Sequence, residues 1–423
     1  MQRYDSYKNS GVKWLGEIPS HWEMKRWRFL MNENAKKNSD CKLRLQLQFR
    51  YGDIVRKANQ SEESDVLDTI SKYTVVAPND IMINGLNLNY DFISQRVAQV
   101  KEEGVITSAY ISLRPTPLAN SRYYTYFLKS MDAKKMFHGM GTGIRLTLSY
   151  NELKNQFIPM PSLKEQEAIA NYLDSATSKI EEAISQQQKM IDLLNERKQI
   201  IINNAVTKGL DPNVKMKPSG VDWIGDIPEH WRLIPIKHII KFINGYAFDS
   251  NEFKSDGDVP VIRISNISEG QVSLDDIAYV SYKKELEPYV TQKGDLLIAM
   301  SGATTGKVGF VFERGLYINQ RVGAIRSEYQ QFVFYWLNST FFKEYVLLSA
   351  LGSAQPNISS KGISNFQICL PPKDEIEEIC RHIKRELNKL TPSISNITKK
   401  ISLLQERKQI IINDVVTGKV KVV

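Results

Sequence analysis

Two long stretches of the chain carry apolar residues that recur in alternating steps of four and three. In the second half this seam consists of Ile376, Cys380, Ile383, Leu387, Leu390, Ile394, Ile397, Ile401, Leu404 and Ile411. In the first half it consists of Ile169, Leu173, Ala176, Ile180, Ala183, Met190, Leu194 and Ile201, with Gln187 as a polar interruption. The spacing predicts two helices of roughly 40 residues, about 60 Å long, each with an apolar stripe that needs a partner.

We expect the two helices to pack against each other as an antiparallel pair. The alternative is that each packs only on its own domain. Pro392 lies inside the second helix and removes a backbone donor, so we expect a kink or a short break there.

The regions between these helices have a mixed α/β pattern. Residues 259–264 alternate as a strand does, and a polar turn at Ser265 and Asn266 follows them. Residues 123–137 and 332–348 are rich in aromatic residues and predict amphipathic helices.

The chain also contains two copies of one plan. Residues 10–22 and 219–231, SGVKWLGEIPSHW and SGVDWIGDIPEHW, are identical at nine of thirteen positions. Residues 193–207 and 403–417, LLNERKQIIINNAVT and LLQERKQIIINDVVT, are identical at twelve of fifteen. The repeat is half the chain, which is much longer than a solenoid repeat.

The sequence between these anchors diverges, although a common frame remains. Each half has an aspartate before an apolar run, a turn of small residues, and an apolar strand bounded by prolines; these are residues 80–83, 141–143 and 157–161 in the first half and 295–298, 352–354 and 368–372 in the second. Two copies of one scaffold with different sequences between the shared elements are expected if the copies recognise two different targets.

Composition and charge narrow the class of protein. The net charge is +9 with a pI near 9.1, which favours a polyanionic partner such as nucleic acid, although charge cannot choose between DNA, RNA and an acidic protein. There is no apolar run long enough for a membrane span and no apolar stretch typical of a signal peptide, so we expect a cytoplasmic protein. The three cysteines and five histidines show no ligand spacing, which argues against a metal site or a disulfide framework.

Motifs for catalysis or cofactor binding fail on inspection. Residues 302–308, GATTGKV, are one residue short of a phosphate-binding P-loop and lack the Ser or Thr after Lys307. The alternating glycines of residues 139–143 follow a helical pattern instead of the strand that a dinucleotide loop requires. We find no Asn/Asp-Pro-Pro-aromatic tetrapeptide of an amino-methylating site. We therefore expect no catalytic residue, no bound cofactor and no metal in this chain.

The loops between the predicted strands are rich in side chains that pair with bases and phosphates. In the first half the candidate DNA-binding residues are Arg44, Arg50, Arg56, Asn84, Asn87, Asn89, Arg96, Thr142 and Arg145. In the second half they are Asn244, Tyr246, Arg263, Asn266, Ser301, Thr304, Thr305, Lys307, Asn319, Gln320, Arg321, Gln355 and Asn357.

The repeated SGVxWxGxIPxHW opening, the proline-bounded strand followed by residues 165–170, EQEAIA, and the two ERKQIII segments resemble the specificity subunits of type I restriction–modification systems, the HsdS family. The resemblance covers essentially the whole chain. It implies two globular target-recognition domains that each read one half of a bipartite, asymmetric site in double-stranded DNA. It also implies docking of two methyltransferase subunits, recruitment of restriction subunits, and S-adenosylmethionine, ATP and Mg bound by those partners.

On this basis we expect an α+β fold with two mixed α/β target-recognition domains, separated by two long antiparallel helices that form a coiled coil, and a pseudo-two-fold internal repeat. The expected segments are a repeated opening (1–22), domain 1 (23–160), a central helix (161–207), a linker with the second opening (208–231), domain 2 (232–371) and a C-terminal helix (372–417). The expected partner-docking residues are Trp14, Trp22, Glu196, Arg197, Lys198, Trp223, Trp231, Glu406, Arg407 and Lys408.

Two departures put the symmetry of the docking surfaces in question. Residues 373–376, KDEI, match residues 164–167, KEQE, only loosely, and Pro392 has no counterpart in the first helix. Two other hypotheses remain: a self-sufficient methyltransferase or nuclease, and a protein-interaction scaffold with coiled-coil arms whose binding would not depend on salt as DNA binding does.

Overall fold

The computed structural model describes residues 2–50, 52–58, 64–143, 146–349 and 356–422, and for residues 64–66 it describes the backbone alone. The chain forms two compact units. Unit 1 combines Met1–Gln188 with Thr398–Val423, and unit 2 is Lys189–Ile397. None of the described helices is long and apolar enough to cross a membrane.

The strands of unit 1 are β1 (Tyr7–Asn9), β2 (Glu17–Pro19), β3 (Glu23–Arg26), β4 (Met31–Glu33), β5 (Leu47–Arg50), β6 (Asp53–Arg56), β7 (Thr74–Val76), β8 (Ile81–Ile83), β9 (Val97–Gln99), β10 (Gly104–Ile106), β11 (Ile111–Pro115) and β12 (Phe157–Met160). Its helices are α1 (Ser64–Ser71), α2 (Ser121–Ala133), α3 (Tyr150–Leu153) and the first part of α4 (Leu163–Lys208). Short 3-10 turns cover Trp27–Phe29 and Met136–Gly139.

The strands of unit 2 are β13 (Met216–Pro218), β14 (Asp226–Pro228), β15 (Arg232–Pro235), β16 (Lys241–Asn244), β17 (Val259–Ile262), β18 (Ile267–Ser268), β19 (Gly270–Val272), β20 (Ala278–Val280), β21 (Leu296–Ala299), β22 (Val308–Phe310), β23 (Tyr317–Ile318), β24 (Val322–Arg326) and β25 (Gln367–Leu370). Its helices are α5 (Gln330–Leu337), α6 (Thr340–Ser349), α7 (Ser360–Asn365) and α8 (Lys373–Val416), whose last turns belong to unit 1. Its 3-10 turns cover Ile236–His238, Ser250–Glu252, Ile264–Asn266, Lys284–Tyr289 and Gly302–Thr304.

The two units share one antiparallel frame. In unit 1 the strand order is β4-β11-β8-β9, and in unit 2 the order β16-β24-β21-β22 is the same, extended by β19 and β18. The proline-bounded strands also match, since β12 pairs with β3 and β25 pairs with β15. The internal repeat predicted from the anchors therefore extends through regions where the sequences have diverged.

A buried aspartate that pairs with an arginine occurs at the same point of both frames. The two oxygens of Asp80 accept hydrogen bonds from Nε and Nη2 of Arg114 at 2.8 and 2.7 Å. Asp295 accepts from Nε and Nη2 of Arg326 at 2.8 Å each. Each aspartate also accepts from a backbone amide three residues earlier, so it starts its strand and ties it to the neighbouring strand. This explains why an aspartate precedes both apolar runs.

The two long helices exist, and their apolar seams are mostly buried. All ten predicted seam positions of α8 are buried or half-buried. In α4 one position is wrong: Met190 is exposed, and the half-buried Ile191 occupies the seam instead, whereas Gln187 is half-buried in the seam as predicted. In unit 1 the beginning of α4 shares a core with the end of α8, and in unit 2 the end of α4 shares a core with the beginning of α8. The two helices therefore run antiparallel.

A kink or a short break was predicted at Pro392. The break is wrong, because α8 is continuous from Lys373 to Val416, and the kink stays a prediction. Pro392 and Asn388, whose carbonyl loses its usual donor, both lie on the exposed face of the helix. Water can therefore satisfy the carbonyl, and the proline ring meets no neighbouring element.

The helix predicted over residues 332–348 is two helices, α5 and α6, with Asn338 and Ser339 between them. The hydroxyl of Ser339 accepts a hydrogen bond from the amide of Phe342 at 3.3 Å and donates to the carbonyl of Trp336 at 2.6 Å. A side chain that satisfies both helix ends competes with continued helix, which the apolar period alone does not reveal.

Candidate nucleic-acid interface

In unit 2, polar loops meet at one end of the six-stranded sheet. Strand β21 ends at Ala299, opposite the first residue of β24, Val322. The loop after β21 (residues 300–307) and the turn before β24 (residues 319–321) therefore lie at the same end of the sheet. Strand β16 ends there too, because Asn244 pairs with Gly323.

Further contacts complete this surface, which we call the unit 2 loop end. The amide of Tyr246 donates to the carbonyl of Ile318 at 2.8 Å, and Ser301 pairs with Asn357 in an isolated bridge. The exposed members of the predicted set at this end are Asn244, Lys307, Gln320, Arg321 and Asn357. Half-buried members are Tyr246, Ser301, Thr304, Thr305 and Asn319. The exposed side chains are amides and cations, the types that pair with base edges and phosphates.

A glycine is required at residue 245 because the backbone there lies very close to the backbone of Asn319. A Cβ atom at residue 245 would lie 2.0 Å from the carbonyl oxygen of Asn319. Only a residue without a side chain allows the segment after β16 to lie against the turn before β24.

Two predicted DNA-binding residues of unit 2 make hydrogen bonds within the domain, and only Asn266 is buried. Asn266 is buried, accepts from the amide of Arg263 at 3.0 Å and donates to the carbonyl of Asp275 at 3.2 Å. The prediction that Asn266 contacts DNA is corrected, because its amide group is used inside the domain. Arg263 is half-buried and donates to the carbonyl of Asp276 at 3.0 Å. Gln355 lies outside the described residues.

Unit 1 has a corresponding loop end. Strand β8 ends at Ile83, opposite Ile111, the first residue of β11. The loop of residues 84–96, which connects β8 to β9, therefore lies beside the turn of residues 107–110. Thr142 is exposed in a turn whose residue Leu146 accepts from the amide of Leu88, so this turn packs on the same loop. Asn87 is exposed, Asn84 and Asn89 are half-buried, and Arg145 lies outside the described residues.

Arg96 is the clearest correction in unit 1. Its side chain is fully buried and donates to the carbonyls of Asn84, Leu86 and Asp91 at 3.1, 2.8 and 2.7 Å. A buried guanidinium whose two terminal nitrogens bind three carbonyls holds the loop from within and does not reach DNA in this structure.

The three remaining arginines of unit 1 do not lie together. Arg50 is exposed at the turn of the β5–β6 hairpin, where Gly52 fits against the side chain of Gln95 of the loop. Arg44 and Arg56 lie at the other end of the hairpin, and Arg56 forms an ion pair with Glu102 at 2.7 Å.

One further turn at this end of the sheet was not among the predicted DNA-binding segments. Residues 107–110, TSAY, precede β11 as residues 319–321 precede β24, so they occupy the place of Asn319, Gln320 and Arg321 in the frame. Ser108 and Ala109 are exposed there. Their place could be found only from the pairing of Arg114 with Asp80, which corresponds to that of Arg326 with Asp295 and is visible only in the structure.

The tryptophans of the repeated opening were predicted to dock partner subunits, and Trp22 and Trp231 are instead fully buried. The indole N–H of Trp22 donates to Glu165 at 2.9 Å, and that of Trp231 donates to Glu375 at 2.9 Å. The preceding histidines contact the same carboxylates, with His21 Nε2 at 3.1 Å and His230 Nε2 at 2.6 Å. Each opening thus holds the first turn of the long helix that follows it.

These contacts also correct the comparison of the two helix starts. Glu165 and Glu375 are equivalent, and each is bound by its His-Trp pair. Their difference lies in burial and in one further donor, since only Glu165 accepts from a tyrosine, Tyr4, at 2.6 Å. Burial, together with this hydrogen bond, raises the pKa of Tyr4 far above its ordinary value, so Tyr4 remains a donor.

The other predicted docking residues are more accessible. Glu196, Arg197, Glu406 and Arg407 are exposed on α4 and α8, whereas Lys198 and Lys408 are half-buried. Lys408 forms an ion pair with Glu181. The first tryptophan of each opening packs on its own domain. Trp14 is half-buried and packs on Phe127 and beneath Lys134, and Trp223 is exposed but packs on Phe341 and Phe366.

No group of three or more His, Cys, Asp or Glu side chains that could hold a metal ion occurs in the part of the chain that the structure describes.

Two similar sheets with polar, sequence-divergent loops at one end, joined to paired long helices, define a DNA-recognition protein with two reading heads. The family model of the type I restriction modification DNA specificity domain matches the chain twice, at residues 53–189 and 228–403. The chain belongs to this family, and its function is recognition of the DNA target of a type I restriction–modification system.

Individual relatives agree with this assignment. The specificity subunit of the type I restriction enzyme MjaVIII from Methanocaldococcus jannaschii is 27% identical over 370 residues, which cover 83% of this chain and 81% of that protein. The specificity subunit of EcoKI from Escherichia coli is 23% identical over 317 residues, covering 68% and 65%. A chain from a structural study of assembly and conformational transition of the type I R-M system has a TM-score of 0.68, covers 95% of this chain and 99% of that one at 14% identity, and therefore shares the fold. The family assignment favours DNA recognition over the interaction-scaffold alternative.

Proposed function

We propose that this chain reads a bipartite, asymmetric sequence in double-stranded DNA, with domain 1 (residues 23–160) on one half-site and domain 2 (residues 232–371) on the other. The observation that carries this proposal is that both frames end in polar loops at the same strand ends while the loops differ completely in sequence. Identical loops would read a symmetric target, and different loops require two different half-sites. The basic net charge supplies the sequence-independent part of the affinity.

We further propose that two methyltransferase subunits dock on the repeated elements, and that restriction subunits join this core. The exposed pairs Glu196–Arg197 and Glu406–Arg407 support this proposal, because the two ERKQ segments present the same side chains from the two helices. In this arrangement S-adenosylmethionine, ATP and Mg belong to the partners, and this chain has no catalytic role. The purified chain alone should therefore neither methylate nor cleave DNA.

Methylome sequencing of host cells with and without this gene tests the central proposal. The expected result is one lost motif with two unlike halves and a fixed spacer. Replacing residues 23–160 with the corresponding domain of a relative should then change one half of the motif and leave the other half and the spacer intact. A palindromic motif, or a swap that leaves methylation on the original sequence, contradicts the proposal.

A further inference from the structure

The tip of the unit 1 loop exposes three large apolar side chains within four residues. Ile93 is 94% exposed, Tyr90 is 76% exposed and Phe92 is 55% exposed. Exposed apolar groups of this size usually indicate a surface that another molecule covers.

The loop that carries them is held in one shape. The buried guanidinium of Arg96 binds three of its carbonyls, as described above. The carboxylate of Asp91 accepts hydrogen bonds from the amides of Ile93 and Ser94 at 3.1 and 2.9 Å. A tip fixed from both sides keeps its apolar side chains in solvent, where an unconstrained loop could turn them inward.

The ring of Phe92 has support of its own. It stacks on the imidazole of His138 with 4.7 Å between the ring centroids and 21° between the planes. His138 Nε2 in turn lies 3.1 Å from the carbonyl oxygen of Asp91. Phe92 therefore presents one face of a fixed ring, with Ile93 beyond it.

The side chains around the tip are of the types that bind nucleic acid. The loop lies at the sheet end that bears Asn87 and the hairpin turn at Arg50. Ile93 borders a cleft of about 580 Å³ that Lys129 and Lys135 also line, and neither lysine makes an ion pair within the described residues. Most of the carboxylates of this cleft are already paired: Asp53 with Lys101, Asp174 with Arg122, and Glu181 with Lys408. The apolar tip would contact stacked bases, and the flanking cations and amides would contact the phosphates on either side of them.

We propose that Phe92 and Ile93 form a wedge that inserts at a base step of the half-site read by domain 1, unstacks that step and bends the duplex. The inference rests on the proposed DNA reading by domain 1 and adds how that half-site is deformed. Insertion of apolar side chains costs a few kcal/mol of unstacking per step, which the additional contacts to the bent duplex offset. Steps that unstack easily are then favoured without a hydrogen bond to their bases.

The corresponding loop of unit 2 has no such tip. Residues 300–307, MSGATTGK, connect β21 to β22 as the wedge loop connects β8 to β9, and their one large apolar residue, Met300, is buried. The wedge therefore bends only one of the two half-sites.

The test uses the complex of this chain with its methyltransferase subunits and a duplex that carries the motif found by methylome sequencing. 2-Aminopurine, which fluoresces more strongly when it is unstacked, replaces single bases of the domain 1 half-site other than the methylated adenine. Fluorophores at the duplex ends report the bend. We expect a fluorescence rise at one step with the wild type and its loss with Ile93→Ser, together with about tenfold weaker binding, or ~1.4 kcal/mol.

The nearly complete exposure of Ile93 makes Ile93→Ser safe for folding, and Ile93→Leu should restore the signal. Phe29→Ala is the matched control, because Phe29 is 53% exposed at the opposite end of the same sheet. If wild type and Ile93→Ser both bind the duplex and give equal fluorescence and an equal bend, the wedge is overturned but the proposed function is not. Failure of the wild type to bind the duplex overturns the proposed function. Loss of subunit assembly with unchanged bending would show that a protein covers the tip, which also overturns the wedge.

Discussion

Replacing Glu165 with alanine should destabilise unit 1 much more than the matched Glu375→Ala destabilises unit 2. The Glu165 side chain is 9% exposed and accepts from Tyr4, Trp22 and His21 at 2.6, 2.9 and 3.1 Å. Alanine leaves the Tyr4 hydroxyl and the Trp22 indole N–H in a buried place without an acceptor. At about 1–3 kcal/mol for each such group, the expected loss is about 2–6 kcal/mol.

The same change at Glu375 has a smaller cost because water can take the place of the carboxylate. The Glu375 side chain is 34% exposed, and its donors are His230 and Trp231. A half-exposed acceptor site refills with solvent when the side chain is removed, so we expect a loss of about 1 kcal/mol.

Hydrogen exchange read by mass spectrometry is the suitable assay, since one melting midpoint does not describe a chain with two units. Peptides from the cores of units 1 and 2 report the opening free energy of each unit in the same sample. Glu165→Gln, which keeps an acceptor but loses the charge, should fall between wild type and alanine. Equal losses from Glu165→Ala and Glu375→Ala, or an unchanged unit 1, would refute the reasoning that burial decides the difference.

Three further outcomes are expected. Hydrogen bonds from the backbone and side chain of Ser94 lower the pKa of Asp91 from 3.8 to about 2. The stabilisation of its loop is therefore complete above about pH 4 and is lost as the pH falls toward 2. Hydrogen exchange of this loop should show that pH dependence, and Asp91→Asn should lack it. Gly245→Ala should lower the opening free energy of unit 2 by about 1–3 kcal/mol in the same exchange assay, because its Cβ would meet a backbone carbonyl, whereas Gly139→Ala meets nothing and should be nearly neutral. Arg321→Ala should relax one position of the domain 2 half-site by about 1–3 kcal/mol in a binding selection on randomised duplexes, and a uniform loss across all sequences would show that Arg321 contacts only phosphate.

Periodic and repeated features could be predicted from the sequence. The a/d spacing gave both long helices, since a stripe that recurs every three or four residues must lie on one helical face. The shared frame was also visible in outline, because Asp80 and Asp295 both stand before apolar runs. In unit 2 the predicted loops come directly before and after strands, and the sheet brings the ends of those strands together.

Features set by burial could not be predicted. Arg96 and Trp22 have the chemistry of recognition residues, and only the fold shows that both are buried and hydrogen-bonded within their own domain. Met190 and Ile191 are equally apolar, so packing decides which one lies in the seam. The turn at residues 107–110 has no base-pairing amide or cation, and its place beside β11 depends on strand pairing that the sequence does not state.

The composition of unit 1 from two distant segments has a consequence for synthesis on the ribosome. Its core needs Ile411, Ile412, Val415 and Val416 of α8, which are translated after every residue of unit 2. Unit 2 is continuous from residue 189 to residue 397 and can close as soon as it has emerged. Unit 1 begins first and closes last, so its apolar surface remains open to chaperones for the whole translation of the second half. Premature termination between the end of unit 2 and Ile411 would release a chain whose second reading head is complete and whose first is not.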